Sequence, residues 1–217
     1  MVYGYICLEH KILSLNIVCS GGVIFMTELT QAASTYDARF KQILDTMIQG
    51  MTTAQLDDSI SHNFIVQMIP HHKAAIEMSL EVLKYTQNAE LRSIAEHIVS
   101  AQTKSISDLE DALQNAACAD LDDSKVNVFL YQAGVKLITS IMFHDMRTAL
   151  VTNNITCTFM RQMIPHHRGA VRMSKLALKF KICDQLKPFL EAIITSQEEG
   201  IKQMEALLKE LHGNKLA

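Results

Sequence analysis

The sequence predicts an all-α fold built around a four-helix bundle. Three observations indicate it. The chain of 217 residues contains only 8 Gly and 3 Pro, and 48% of its residues are hydrophobic, a composition that favours continuous helices over turn-rich sheet. Apolar residues recur at three- and four-residue steps along most of the chain, as on one face of a helix. One such apolar stretch also occurs twice, which indicates a bundle made of two equivalent halves.

The repeated stretch reads FIVQMIPHHKAAIEMS at residues 64–79 and FMRQMIPHHRGAVRMS at residues 159–174. The copies share 10 of 16 residues at a constant offset, 166 − 71 = 95. Residues outside the stretch keep the same offset, namely Met47 with Met142, Met51 with Met146 and Gln102 with Gln197. Because the offset holds without gaps, it indicates a duplication of about 75 residues rather than a chance match.

Each repeat predicts three helices, the second of which carries the repeated stretch. Ser59 and its acidic neighbours cap the first motif helix, and Asn153 with Asn154 precede the second, as expected of helix N-termini. Each motif helix forms a hairpin with the helix that follows it, and the two hairpins dock as the bundle. The first and fourth helices lie on its flanks. The predicted helices cover residues 30–50, 57–85, 88–113, 130–146, 154–181 and 184–212.

We therefore expect one helical domain, residues 27–217, made of repeats at about 36–115 and 131–212. The small and polar residues 116–124 form the linker.

Residues 1–26 form a poorly defined N-terminal segment. Its apolar run is like the core of a weak signal peptide, but Glu9 offsets Lys11 and a Ser-Gly-Gly sequence interrupts the run, so we prefer upstream read-through before Met26. A cytoplasmic location is then expected. Export to the cell envelope is the alternative if residues 1–32 act as a signal.

Composition excludes some partners. The formal net charge of −3 gives no basic field that would attract nucleic acid or an anionic membrane, so neither is expected as a partner. Whether the chain forms a homo-oligomer is left open by the composition. The 5 Cys are irregularly spaced without a C-x-x-C pair, and we expect reduced thiols.

One face of each motif helix carries unusual polar residues. At about 100° per residue, Phe64, Met68, His71, His72, Ala75 and Met78 share one face, whereas Glu77 points to the opposite side. Pro70 and Pro165 precede the histidine pairs inside the helical pattern, where a proline removes a backbone hydrogen bond and costs about 3 kcal/mol. Two His-His pairs, each within one turn of a methionine, are typical of a metal site rather than of core packing.

Imidazole with thioether suits copper, as Cu(I) or Cu(II), and silver; zinc is a further option. The lack of nearby carboxylates argues against Ca²⁺ and Mg²⁺. A di-iron centre would need Glu-x-x-His spacing, and the chain has none. Metal ions are therefore the expected partners.

The doubled M-I-P-H-H with the downstream A-x-x-M-S resembles the domain of unknown function 305 family, over about residues 36–208. The resemblance implies a ferritin-like helical bundle and, in some members, binding of copper or silver in export or tolerance. Carried over to this sequence, it implies the metal ligands Met68, His71, His72, Met78, Met163, His166, His167 and Met173.

The expected function is non-catalytic metal binding, most simply copper or silver binding in storage or tolerance. The first alternative is a structural or interaction bundle whose His pairs satisfy each other and buried carbonyls. The further alternative is a His-based enzyme, although no nucleophile motif or phosphate-binding loop accompanies the histidines. Gln102 and Gln197 are expected to orient His ring nitrogens. His62 and Cys157, which are equivalent by the offset, are expected to be a capping and a buried residue, with auxiliary metal ligands as the alternative.

Overall fold

The computed structural model describes residues 13–15, 26–114 and 123–213, and within them the fold is all-α with six helices. Side chains cap four of them at the N-terminus: Thr30, Ser59, Ser124 and Asn154 each accept a backbone N–H of the first turn, and this stabilises the helix start. The helices are α1 (Gln31–Thr52), α2 (Ile60–Val82), α3 (Ala89–Gln114), α4 (Lys125–Arg147), α5 (Ile155–Ala177) and α6 (Leu186–Gly213).

Helix contacts follow the two repeats. The motif helix α2 packs on α3, and α5 packs on α6; α2 also contacts α5, and α3 contacts α6. These four contacts close a ring, which is consistent with the predicted four-helix core. Helix α1 packs on α2 and α4 packs on α5, as expected for flanking helices. The ferritin-like topology and the single domain of residues 27–217 stay predictions.

Both motif helices end earlier than the periodicity predicted. Helix α2 ends at Val82 instead of about Tyr85, and α5 ends at Ala177 instead of about Lys181. Beyond each end the chain continues as a turn with backbone bonds to the third preceding residue, such as Tyr85 N to Val82 O (3.0 Å). Such tight turns place side chains at nearly helical spacing, so the apolar pattern continues after the α-helix has ended.

A short antiparallel strand pair also occurs in the described residues, between Leu13–Leu15 (β1) and Met26–Glu28 (β2). Leu13 pairs with Glu28. The sequence did not predict it. Most of residues 1–26 and of the linker 116–124 lie outside the described residues. The predictions of read-through before Met26 and of a signal peptide concern this part of the chain.

Cys183 is disulfide-bonded, so the prediction of reduced thiols is wrong for this residue. A disulfide requires two Cα atoms about 4.4–6.8 Å apart, and sequence spacing does not reveal such proximity between distant cysteines. Cys157 is buried, as predicted, and His62 lies 3.0 Å from Asp57, Nδ1 to Oδ2.

The outer face of α4 is apolar, unlike that of its repeat mate α1. Val126, Leu130, Leu137 and Ile141 are at least 41% exposed, whereas the residues 95 positions earlier are Gln31, Thr35, Gln42 and Thr46. The repeat fold therefore does not itself require an apolar face here. Among the described helices, α4 is the one that is long and apolar enough to cross a membrane, by length and composition only. That no membrane is a partner stays a prediction.

Candidate metal centre

The predicted face of each motif helix is buried at the contact between α2 and α5. Met68, His71, His72 and Met78 are at most 1% exposed, and so are their mates Met163, His166, His167 and Met173. The four methionines belong to the hydrophobic core. On the opposite side, Glu77 is exposed and pairs with Arg39, Oε2 to Nη2 3.0 Å. The periodicity therefore placed these side chains on the correct sides of the helix.

Both prolines lie inside their helices. Pro70 is within α2 and Pro165 is within α5, so neither occupies a first turn, where a proline would cost little. Helix α1 approaches Pro70 closely at Gly50, since a Cβ on Gly50 would lie 2.8 Å from the proline Cβ. Pro70 thus sits in a packed interface directly before its histidine pair.

The four histidines form a row across the contact of the two repeats. The His71 and His166 rings stack at its centre, with centroids 3.6 Å apart and planes at 29°. The centroids of the outer rings lie 5.7 Å (His72 to His71) and 5.9 Å (His167 to His166) from their neighbours. The near-equal distances follow from the duplication, which relates the two halves of the row.

Reciprocal hydrogen bonds hold the two central rings. His71 Nε2 lies 3.2 Å from the backbone oxygen of His166, and His166 Nε2 lies 3.1 Å from that of His71. A carbonyl oxygen only accepts, so each Nε2 must carry the proton and donate it. In the neutral ring Nδ1 then keeps a lone pair. Both Nδ1 atoms are buried without a hydrogen-bond partner.

The outer ring of the first repeat is held by a residue that the sequence reasoning did not assign to the site. His72 Nε2 lies 3.0 Å from Ser105 Oγ, and His72 Nδ1 is buried without a partner. An orphaned buried N–H is rarer than an orphaned acceptor, so the favoured tautomer donates from Nε2 to Ser105 and leaves the lone pair on Nδ1. Ser105 was detectable as a hydroxyl on the face of α3 that carries Leu91, Ile94, Ile98 and Leu109.

The glutamines do not take the predicted role. Gln102 is 1% exposed, yet neither of its amide atoms has a hydrogen-bond partner, and Gln197 Oε1 also has none. The prediction that these amides orient His ring nitrogens is therefore wrong for the contacts observed. Helical periodicity gave the correct inner face, but it could not tell that the neighbouring Ser105 reaches His72 instead.

Burial keeps all four imidazoles neutral. It lowers the pKa of His72 to about 3 and that of His166 to about 4. Burial, followed by the neighbouring imidazoles, holds the pKa values of His71 and His167 well below 6.5. A water-excluded site disfavours the charged ring. The neutral ring is also the form that coordinates metal ions.

These donors fit a soft metal ion better than a hard one. The Nδ1 atoms of all four histidines are buried and unpartnered, and buried polar atoms are normally hydrogen-bonded. A ring that donates its other N–H to a carbonyl has the arrangement found in most metal-ligating histidines. Within the described residues, no three His, Cys, Asp or Glu side chains are placed to hold one ion. A metal site here would therefore need donors of another kind as well.

Comparison with known proteins places these features in a family. Residues 25–125 and 133–216 both match the family described as "Domain of unknown function (DUF305)". No curated protein matches the chain.

Solved structures of similar fold include two described as CopM in metal-bound forms. The Ag-bound form is 25% identical and covers 69% of this chain and 95% of its own, with a TM-score of 0.51. The Cu(II)-bound form is 25% identical and covers 70% and 97%, with a TM-score of 0.51. A DUF305 fragment from Deinococcus radiodurans is 21% identical and covers 72% and 98%, with a TM-score of 0.51; at that identity it shows the fold alone.

Proposed function

This chain belongs to the DUF305 family, and from that premise we propose that it is a non-catalytic protein that binds copper or silver through its two M-x-x-H-H motifs, in metal storage or tolerance. The observation that carries the proposal is the row of four buried neutral imidazoles whose Nδ1 atoms lack partners. Such atoms are costly to leave unsatisfied. A bound metal ion would satisfy them.

His71 and His166 would supply Nδ1, since carbonyls occupy their Nε2 atoms. His72 and His167 would add imidazole nitrogen, and the thioethers would come from Met68, Met78, Met163 and Met173. Thioether sulfur selects Cu(I) and comparably soft ions, so Cu(I) and Ag(I) are the first choice, with Cu(II) and zinc next. The CopM structures with Ag and Cu(II) bound support this choice at 25% identity.

Titration of the metal-free protein with Cu(I) under reducing conditions should raise its melting temperature. A ligand that binds only the folded state at 100 times its Kd stabilises by about 2.7 kcal/mol. The double variant His71→Ala and His166→Ala should lose this gain. The control is His144→Gln, which changes an exposed histidine outside the row and should keep it. An unchanged melting temperature in the unsubstituted protein would count against metal binding.

One observation favours the structural alternative. The central rings stack and donate to each other's backbone carbonyls, which already ties α2 to α5 without a metal. The two functions differ in the metal content of the protein purified without an affinity tag. Elemental analysis should find copper or silver in near-stoichiometric amount if the proposal holds, and neither metal if the bundle is only structural. A His-based enzyme is a further alternative.

A cytoplasmic location is part of the proposal, with the cell envelope as the alternative. The disulfide at Cys183 favours the alternative, because disulfides persist mainly in oxidising compartments.

A further inference from the structure

Two cavities between α3 and α6 are related by the duplication. The first, of about 190 Å³, is lined by His72, Gln102, Ser105 and Ala192 among others. The second, of about 10 Å³, is lined by His167, Gln197, Gly200 and His97. Each of these second-cavity residues lies 95 positions from a residue of the first. The chain therefore contains two versions of one cavity, each leading to the outer histidine of one motif.

Residue exchanges between the repeats account for the difference in size. His97 takes the place of Ala192, and its imidazole lines the second cavity. Gly200 takes the place of Ser105, and a Cβ there would lie only 3.0 Å from His167 Cδ2, so α6 packs directly on that ring. The second cavity has room for about one water molecule, and the first has room for several.

The walls of the first cavity suit a cation on its way to His72. Asp108 and Lys104 both line it and pair with each other, Oδ2 to Nζ 2.6 Å, but the lysine side chain is 75% exposed, so it can swing away from the carboxylate, and such surface pairs contribute at most about 1 kcal/mol. Gln102, which lines both cavities, has both amide atoms buried and unpartnered. At the position of Asp108 the second repeat has the neutral Gln203.

We propose that the first cavity is the route by which a soft monovalent cation reaches the histidine row, so that His72 is reached first and His167 last. This inference rests on the proposed function, since it concerns access to the same imidazoles. The two repeats differ in access, because Ala192 and Ser105 leave the first cavity open where His97 and Gly200 narrow the second. Ser105 then acts as a positioning residue, because its hydroxyl accepts from Nε2 and keeps Nδ1 of His72 open to the ion.

The test is stopped-flow transfer of Cu(I) from its coloured bicinchoninate complex to the full chain. Ala192→Phe, at an exposed position of the cavity wall, should slow the transfer roughly tenfold, since association slows when a site must first open, without changing the amount bound. Ala206→Phe is the control. It lies on an exposed position of the same helix away from both cavities and should leave the rate unchanged.

His97→Ala is the converse variant, since it opens the second cavity at an exposed position. It should accelerate the transfer, and imidazole ¹⁵N spectra recorded during the uptake of half an equivalent of Ag(I), before the ion redistributes, should then show His167 and His72 shifting together. In the unsubstituted protein His72 should shift first. Equal rates in all variants, or a His167 shift that precedes that of His72, would overturn the route. A protein that takes no Cu(I) from the complex would instead refute the proposed function itself.

Discussion

Acidification of the metal-free protein from pH 7 to pH 4 should unfold it cooperatively, with a midpoint near pH 5. The cause is the buried histidine row. An unfolded histidine titrates near pH 6.5, whereas His72 and His166 have folded pKa values of about 3 and about 4. Between these values the unfolded state binds more protons than the folded state, so stability falls as the pH falls.

The magnitude is large compared with the stability of a typical domain. Each unit of pKa difference corresponds to 1.36 kcal/mol, so His72 and His166 each remove on the order of 3 kcal/mol between pH 6.5 and pH 4. The pKa values of His71 and His167 shift in the same direction. A folded domain is stable by only about 5–15 kcal/mol, so the row removes a large part of that stability at acid pH.

Circular dichroism at 222 nm as a function of pH measures the transition. His72→Gln, which removes one titrating ring, should move the midpoint to lower pH. His144→Gln, at an exposed histidine, should leave the midpoint where it is. A protein that keeps its helical signal down to about pH 3, or a midpoint that the two substitutions move equally, would contradict the assignment of acid sensitivity to the row.

Met68→Leu combined with Met163→Leu should weaken Cu(I) binding on the order of 100-fold, at the upper end of the loss that outer partners of metal ligands cause. Leucine fills nearly the same volume, and such exchanges usually cost less than about 1.5 kcal/mol each. The melting temperature of the metal-free protein should therefore change little. A loss of Cu(I) affinity without a loss of stability distinguishes a thioether ligand from a core residue.

The duplication provides a matched control at Met47 and Met142, which are equally buried in α1 and α4 and also lie 95 positions apart. Met47→Leu with Met142→Leu should keep Cu(I) affinity. Competition with bicinchoninate measures both variants. If both pairs of substitutions weaken binding equally, the loss of affinity cannot be assigned to metal ligation by Met68. If neither does, the methionines of the motif are packing residues.

Most of the fold, and the burial of the motif residues, could be predicted from the local sequence. Capping residues such as Ser59 and Asn154 act within their own helix turn, so the starts of the two motif helices could be predicted closely. The start of α4 was predicted too late, near residue 130 instead of Lys125, because its cap Ser124 was assigned to the linker. Periodicity placed Met68 and His71 on a buried face because that face is a property of one helix. The helix ends at Val82 and Ala177 were predicted too late, since a tight turn continues the same spacing.

The remaining details of the site depend on contacts between helices, which periodicity does not encode. The bonds from His71 and His166 to each other's carbonyls join residues 95 positions apart. Ser105 reaches His72 and Gln102 does not. Which of them does so depends on how α3 is rotated about its own axis against α2. The two cavities differ in volume because of single-residue differences between the repeats, such as Ala192 in place of His97. The effect of such a difference can be recognised only in the structure, where both residues line equivalent cavities.

Copper K-edge X-ray absorption of the Cu(I)-loaded full chain tests metal binding by the two motifs most directly. We expect a shell of both nitrogen and sulfur around copper. The nitrogen contribution should fall in the His71→Ala and His166→Ala double variant, which keeps only the imidazoles of His72 and His167, while His144→Gln leaves the spectrum unchanged. A sulfur-only shell that the double substitution leaves unchanged would show that the imidazoles are not ligands and would contradict binding by the M-x-x-H-H motifs.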